Sequence, residues 1–274
     1  MTVVHFEHRG RRLAADLADP LPIAVPLDFD GPQPRFHGAP RASSAALRSG
    51  SFVGDTREGG SCNCEQLTLV PHCNGTHTEC VGHVTDDRVS IAEVLRGGMN
   101  LAWLLSVRPT GAAGSGEGSD PSPSPGDELV TAAALEAARA AHQDLSPTAL
   151  VLRTLPNGAG RMSREYAGPA PAPFLSREAA QWLVERDIDH LVLDLPSADR
   201  AEDHGRLTAH RVFFGLPPGS RRASEAQRPH ATITELAFIA PTIRDGWYLL
   251  DLQVPPFLSD AAPSRPLLYP VRFA

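Results

Sequence analysis

Apolar residues fall in short blocks along this chain, bounded by proline, glycine or polar clusters. Blocks of that length and setting predict strands. From Cys62 to Val70 the side chains alternate, with Leu67 and Leu69 on one face and Thr68 and Val70 on the other. Ala102 to Val107 reads as a buried strand, and Ala149–Thr154, His190–Leu195, Thr232–Ile239, Tyr248–Val254 and Leu267–Val271 as further strands. Pro22 to Leu27 is strand-like but broken by prolines, and Gly31 to Gly38 reads as a loop carrying two large groups, Phe36 and His37. Helical patterns appear at Ser90–Leu95, over the alanine-rich Glu128–His142, and after Ser176, a residue suited to cap a helix. The order Ala149 strand, Ser176 helix, His190 strand suggests a parallel pair joined by a crossover helix. Arg161 to Pro173 reads as irregular.

Two segments have almost no apolar residues beyond alanine and proline. Residues 110–126 are rich in glycine, serine and proline, and 217–229 form a second polar insertion. Nothing apolar in 110–126 offsets the entropy of ordering it, so a mobile surface loop is expected. The pattern as a whole predicts one α/β domain over 1–274, with a mixed sheet and two flexible insertions.

Composition narrows the function classes. A chain of 274 residues with 42% hydrophobic residues can bury a sizeable core. The net charge of −7 and the lack of a basic patch argue against nucleic acid as a partner. All 25 basic residues are arginine, which excludes Schiff-base and phosphate-loop lysine chemistry. No apolar run approaches the ~18 residues of a membrane helix. The start of the chain has no secretory character, so a cytoplasmic protein and free thiols are expected for Cys62, Cys64, Cys73 and Cys80.

The densest chemistry follows the strand ending at Val70: Pro71-His72-Cys73-Asn74-Gly75-Thr76-His77-Thr78-Glu79-Cys80-Val81-Gly82-His83. Thiolate, imidazole and carboxylate are the donors that hold zinc and related divalent ions. A metal held there would give the chain a reaction, the activation of water. Cys62, Cys64 and Cys80 read as packing residues, as do Trp103 and Trp182; Asp194 and Asp199 read as turn residues, and His72 as a supporting or structural group.

This block resembles the signature of the cyclase-like metal hydrolases, which include bacterial kynurenine formamidase and isatin hydrolase: His-x-Gly-Thr-His-x-Asp-x-Pro-x-His. Later blocks follow in family order: Asp194-Leu195-Pro196-Ser197-Ala198-Asp199, His210-Arg211, and Glu235 within Ile233-Thr234-Glu235-Leu236. The resemblance implies a swivelling β/β/α fold and metal ligation by Cys73, His77, Glu79, His210 and Glu235. Cys73 stands where the family has its first histidine, Glu79 where it has aspartate, and Val81 where it has proline. His230 is a rival for the place of His210. The resemblance further implies His83 as the catalytic base; Thr76 is expected as an orienting hydroxyl, and Phe36, on its early loop, as a substrate-pocket wall. One or two Zn²⁺ or Mn²⁺ ions per subunit, a small-molecule substrate with an amide, lactam or lactone bond, and a homodimer or larger assembly complete the expectation. The alternative is a non-catalytic metal-binding or sensing protein on the same scaffold.

Overall fold

The computed structural model describes residues 2–140, 145–166 and 171–274. An eleven-stranded mixed sheet forms its centre. In chain order its strands are β1 (Val3–His8), β2 (Arg11–Asp16), β3 (Leu21–Pro22), β4 (His77–Glu79), β5 (Met99–Val107), β6 (Ala149–Thr154), β7 (His190–Leu193), β8 (Thr232–Glu235), β9 (Gly246–Asp251), β10 (Ala261–Pro263) and β11 (Leu267–Phe273). The spatial order is β1-β2-β11-β9-β5-β6-β7-β8-β4-β10, with β3 pairing on β11. The middle four, β5-β6-β7-β8, are parallel, and every other pair is antiparallel.

The parallel strands are apolar on both faces because both are covered. Every residue of β6 is buried, and its side chains divide by the two-residue period. Leu150 and Leu152 face a layer of three helices, α1 (Ala132–Arg139), α2 (Arg177–Val184) and α3 (Thr208–Phe214), which contribute Leu135, Leu183, Phe213 and Phe214. Ala149 and Val151 face the opposite layer, with Ile23, Ile91, Leu250 and Leu268. Helix α2 lies between the parallel strands β6 and β7, the crossover expected from the sequence. Trp103 and Trp182 are both core residues of the helical face.

Several boundaries differ from the sequence reading. The alternating stretch from Cys62 condenses to a four-residue strand, Glu65–Thr68, exposed throughout. Its partner Ser43–Ala46 is short and lies outside the main sheet, and only Ser44 and Ala46 of it are partly covered. Strand β8 stops at Glu235 because Leu236 turns into the left-handed region, at φ 53°. Of the alanine-rich helix expected to reach His142, the described part is Ala132–Arg139; residues 141–144 lie outside the described residues, as do 167–170 of the segment expected to be irregular.

Segment 110–126, expected as a mobile surface loop, carries short elements. Thr110–Gly111 pairs with Glu128–Val130, and a helical turn follows at Ala112–Ser115. Its anchor is polar. The Glu117 carboxylate accepts from the amides of Ala132 and Ala133 at the start of α1 and from the Ser176 hydroxyl before α2. The second insertion is held similarly: the Arg221 guanidinium donates to Asp86, and the Ala223 amide to Asp87.

Candidate metal centre

Strand β4 is three residues long, and all three side chains are buried. It lies between β8 and β10, with Glu235 opposite His77 and Ala261 opposite Glu79. Because side chains alternate, His77 and Glu79 share one face, and the cross-strand register brings Glu235 to the same face. Gly82 follows at a tight approach, where a Cβ would stand 2.3 Å from the Val89 carbonyl oxygen. This packing requires glycine and delivers His83 on the next turn.

Helix α3 contributes His210. The Asp199 carboxylate accepts from the Ala209 and His210 amides at the start of that helix and lies 2.6 Å from His210 Nδ1. One carboxylate therefore caps the helix and fixes the ring, leaving Nε2 to face the centre, 2.6 Å from Glu79 Oε1. His77 is fixed in the same sense: its Nδ1 lies 3.0 Å from the Gly75 carbonyl, so Nε2 points inward.

Glu79 is the hub. Its Oε2 lies 3.3 Å from His72 Nε2, 3.8 Å from His83 Nε2 and 3.9 Å from His77 Nε2. Glu235 stands across from it, with Oε2 3.6 Å from His77 Nε2 and Oε1 3.5 Å from His210 Nε2. Oε1 of Glu235 also accepts from the Ala198 amide. Asp260 closes the outer side: its Oδ2 lies 3.0 Å from His72 Nε2 and 3.5 Å from His83 Nδ1.

Burial pushes the Glu79 carboxyl up, but the surrounding imidazoles of His83, His210 and His72 outweigh it and hold the group well below the usual carboxylate range. Burial depresses His210, and the charges of Glu79 and Asp199 more than reverse this. The imidazoles of His72 and His83 hold Asp260 far below the ordinary aspartate value.

The donor set fits a divalent ion. His72 Nε2, His77 Nε2 and Glu79 Oε2 are buried polar atoms with no aligned hydrogen-bond partner among the described residues. Such atoms are costly to bury, and here all three border one point, the Glu79 carboxylate. Three groups each bring their donor atoms within 4.8 Å of one another: His77–Glu79–Glu235, Glu79–His83–His210 and His72–His83–Asp260.

The structure thus brings His77, Glu79, His83, His210 and Glu235 together. His230 is elsewhere, exposed and 3.0 Å from Asp189. Cys73 is buried near Glu235 but belongs to none of the three donor groups; burial, then the Glu235 charge, raises its thiol pKa. The Thr76 hydroxyl donates to the Leu236 carbonyl and accepts from the Val25 amide, so its only proton braces the backbone. Asp199 does more than shape a turn, since it also fixes His210. Asp260 was missed altogether; a lone aspartate in the loop before β10 carries no signature in sequence.

Phe36 and His37 line a cavity of about 360 Å³ together with Tyr166 and Arg200. The Phe36 amide donates to the Cys73 carbonyl, tying this wall to the metal-like loop.

A mixed sheet with helices on one face and a cluster of inward-facing imidazoles and carboxylates at its edge defines a cyclase-type protein. A family model described as "Putative cyclase" matches residues 14–200, and the chain belongs to that family. Solved structures show the same fold at low identity. An isatin hydrolase bound to the product analogue thioisatinate is 15% identical, with a TM-score of 0.59 and 93% of each chain covered. Isatin hydrolase A from Ralstonia solanacearum is 13% identical, with a TM-score of 0.60, covering 92% of this chain and 91% of its own. A predicted metal-dependent hydrolase from Bacillus stearothermophilus is 15% identical, with a TM-score of 0.56 over 92% of this chain and 98% of its own. No curated protein matches the sequence significantly. No helix among the described residues is long and apolar enough to cross a membrane.

Proposed function

We propose that the chain is a metal-dependent hydrolase that opens an amide, lactam or lactone bond in a small molecule. The observation that carries this reading is the convergence of buried His72 Nε2 and His77 Nε2 on the Glu79 carboxylate, whose Oε2 has no aligned hydrogen-bond partner among the described residues. His210 and Glu235 complete the donor set, and imidazole with carboxylate suits Zn²⁺ or Mn²⁺. Solved proteins of this fold named isatin hydrolase and metal-dependent hydrolase support the reading. When bound, a divalent ion supplies Lewis acidity and hydroxide near neutral pH.

The chain's own residues do the rest. Glu79 and Glu235 bring negative charge that holds the cation, while Asp199 and the Gly75 carbonyl keep His210 and His77 in the donor tautomer. His83 is the base. Its side chain remains 28% exposed, so a substrate can reach it, and Asp260 faces its Nδ1, leaving Nε2 to take the proton of the attacking water. The water oxygen bonds to the carbonyl carbon. The carbon–nitrogen or carbon–oxygen bond then breaks, and His83 returns the proton to the departing atom. The cavity wall of Phe36 and Tyr166 suits a flat ring, and Arg200, although paired with Asp127, lies at its edge.

Metal analysis of the purified protein, followed by assays on N-formyl anilides, isatin-like lactams and small lactones, tests this reading. Stoichiometric Zn²⁺ or Mn²⁺ with chelator-sensitive hydrolysis is expected. Bound metal with no turnover on any of these classes would move the chain to the binding or sensing alternative.

A further inference from the structure

The family signature places its first donor at position 73, four residues before His77, and here that position holds cysteine. The chain carries an imidazole one residue earlier. Residues 71–74 form a single helical turn, Pro71–Asn74. Neighbouring residues on such a turn point ~100° apart, so His72 and Cys73 cannot aim at the same point. The turn aims His72 inward: its Nε2 is a buried atom 3.3 Å from Glu79 Oε2 and 3.0 Å from Asp260 Oδ2. Its ring stacks on His83 with centroids 4.4 Å apart and lies 5.3 Å from the His77 ring. The Cys73 thiol joins no donor group among the described residues.

Resting on the reading of this centre as a divalent-metal site, we propose that His72 Nε2, and not the Cys73 thiolate, is the donor at the head of the motif. The chain has shifted its ligand by one residue. Asp260 brings a carboxylate to the same point from the loop before β10. The shift also alters the chemistry of the centre. A neutral imidazole in place of a thiolate leaves the cation more positive, which favours Lewis acidity over charge neutralisation. Nothing at Cys73 need then match a ligand's geometry, so that position is free to hold a small packing residue.

The test uses the full-length protein stripped with chelator and reloaded with Co²⁺, whose bond to a thiolate gives an intense near-ultraviolet charge-transfer band. Wild type is expected to take up Co²⁺ without that band, and Cys73→Ser to show the same stoichiometry and spectrum. His72→Ala should weaken Co²⁺ binding by more than ~100-fold, beyond the loss caused by removing a supporting hydrogen bond. A gain of signal guards against simple misfolding: in the Cys73→Ser background, His72→Cys should create the thiolate band. A band in wild type that disappears in Cys73→Ser overturns the proposal. So does unchanged binding in His72→Ala, or no band in the His72→Cys variant. A wild type that takes up no Co²⁺ overturns both this proposal and the metal-hydrolase reading. Co²⁺ uptake through His72 with no hydrolysis overturns only the latter.

Discussion

Asp199 Oδ2 lies 2.6 Å from His210 Nδ1, and the same carboxylate accepts from the amides of Ala209 and His210. One side chain therefore sets the start of helix α3 and the direction of the imidazole on it. The two tasks separate in Asp199→Asn. Asparagine keeps one acceptor oxygen, enough for the Ala209 amide that Oδ1 serves, so the helix start should hold in large part. It lacks the charge that supports a metal-bound imidazole, and metal affinity should fall ~10–100-fold. Calorimetric titration with Zn²⁺, with circular dichroism as control, reads both effects. Unchanged affinity would show that Asp199 serves the helix alone.

The core strands and the crossover helix were legible because their signals are local. β6 and α2 announce themselves by apolar runs and by Ser176, whose hydroxyl accepts from the Ala179 amide. The motif between Cys73 and His83 was legible through its spacing. Two things were hidden. Which of His72 and Cys73 faces Glu79 depends on a single turn of helix that no periodicity reveals. Asp260 reaches the centre only because β10 pairs with β4, a contact across more than half the chain. Polar anchoring was hidden too: Glu117 reads in sequence as one more surface acid.

His83→Ala should leave metal content near wild type and lower turnover by ~10²–10⁴-fold, the range for a positioned general base. Its ring joins two donor groups, so the metal measurement is decisive. Stoichiometry by plasma emission alongside kcat separates a base from a ligand; loss of metal in step with activity would make His83 a ligand.

Asp194 is fully buried and 3.1 Å from Arg161, and accepts from the Thr154 amide and hydroxyl. Burial pushes its pKa up to about 6 from 3.8, despite the opposing pull of Arg161. The folded state thus holds this proton more tightly than the unfolded one, so the group's contribution to stability falls as pH rises from about 4 to about 6. Arg161→Ala removes the partner of a buried charge and should cost roughly 3–5 kcal/mol at neutral pH. Near pH ~4 the carboxyl is protonated and the cost should shrink. Urea unfolding at both pH values checks this; an equal loss at each would mean the pair is not electrostatically coupled.

Glu117 offers a different kind of test, since it ties segment 110–126 to the starts of α1 and α2. Glu117→Ala leaves the Ala132 and Ala133 amides without that acceptor and should destabilise the fold by ~1–3 kcal/mol. Replacing 110–126 by a Gly-Ser linker should cost at least as much, although loop length alone would change little. A linker variant as stable as wild type in urea would show that water replaces Glu117 at no cost.

Phe36 joins the cavity wall to the metal-like loop, its ring against the His37 ring at 3.9 Å and its amide on the Cys73 carbonyl. Phe36→Ala removes the ring but keeps that backbone bond, so the donors around Glu79 stay in place. If the ring packs against substrate, its loss removes a contact made equally in the ground and transition states. KM should then rise by roughly 10-fold or more, with kcat and metal content little changed. The ring is also largely buried, and deleting it weakens the fold by ~3–5 kcal/mol. Phe36→Leu, which keeps most of the volume, controls for that. A thermal shift separates the two effects: a fall in Tm with KM unchanged would reduce Phe36 to a packing residue. A fall in kcat with intact KM would show that the wall acts by positioning the metal loop and does not touch the substrate.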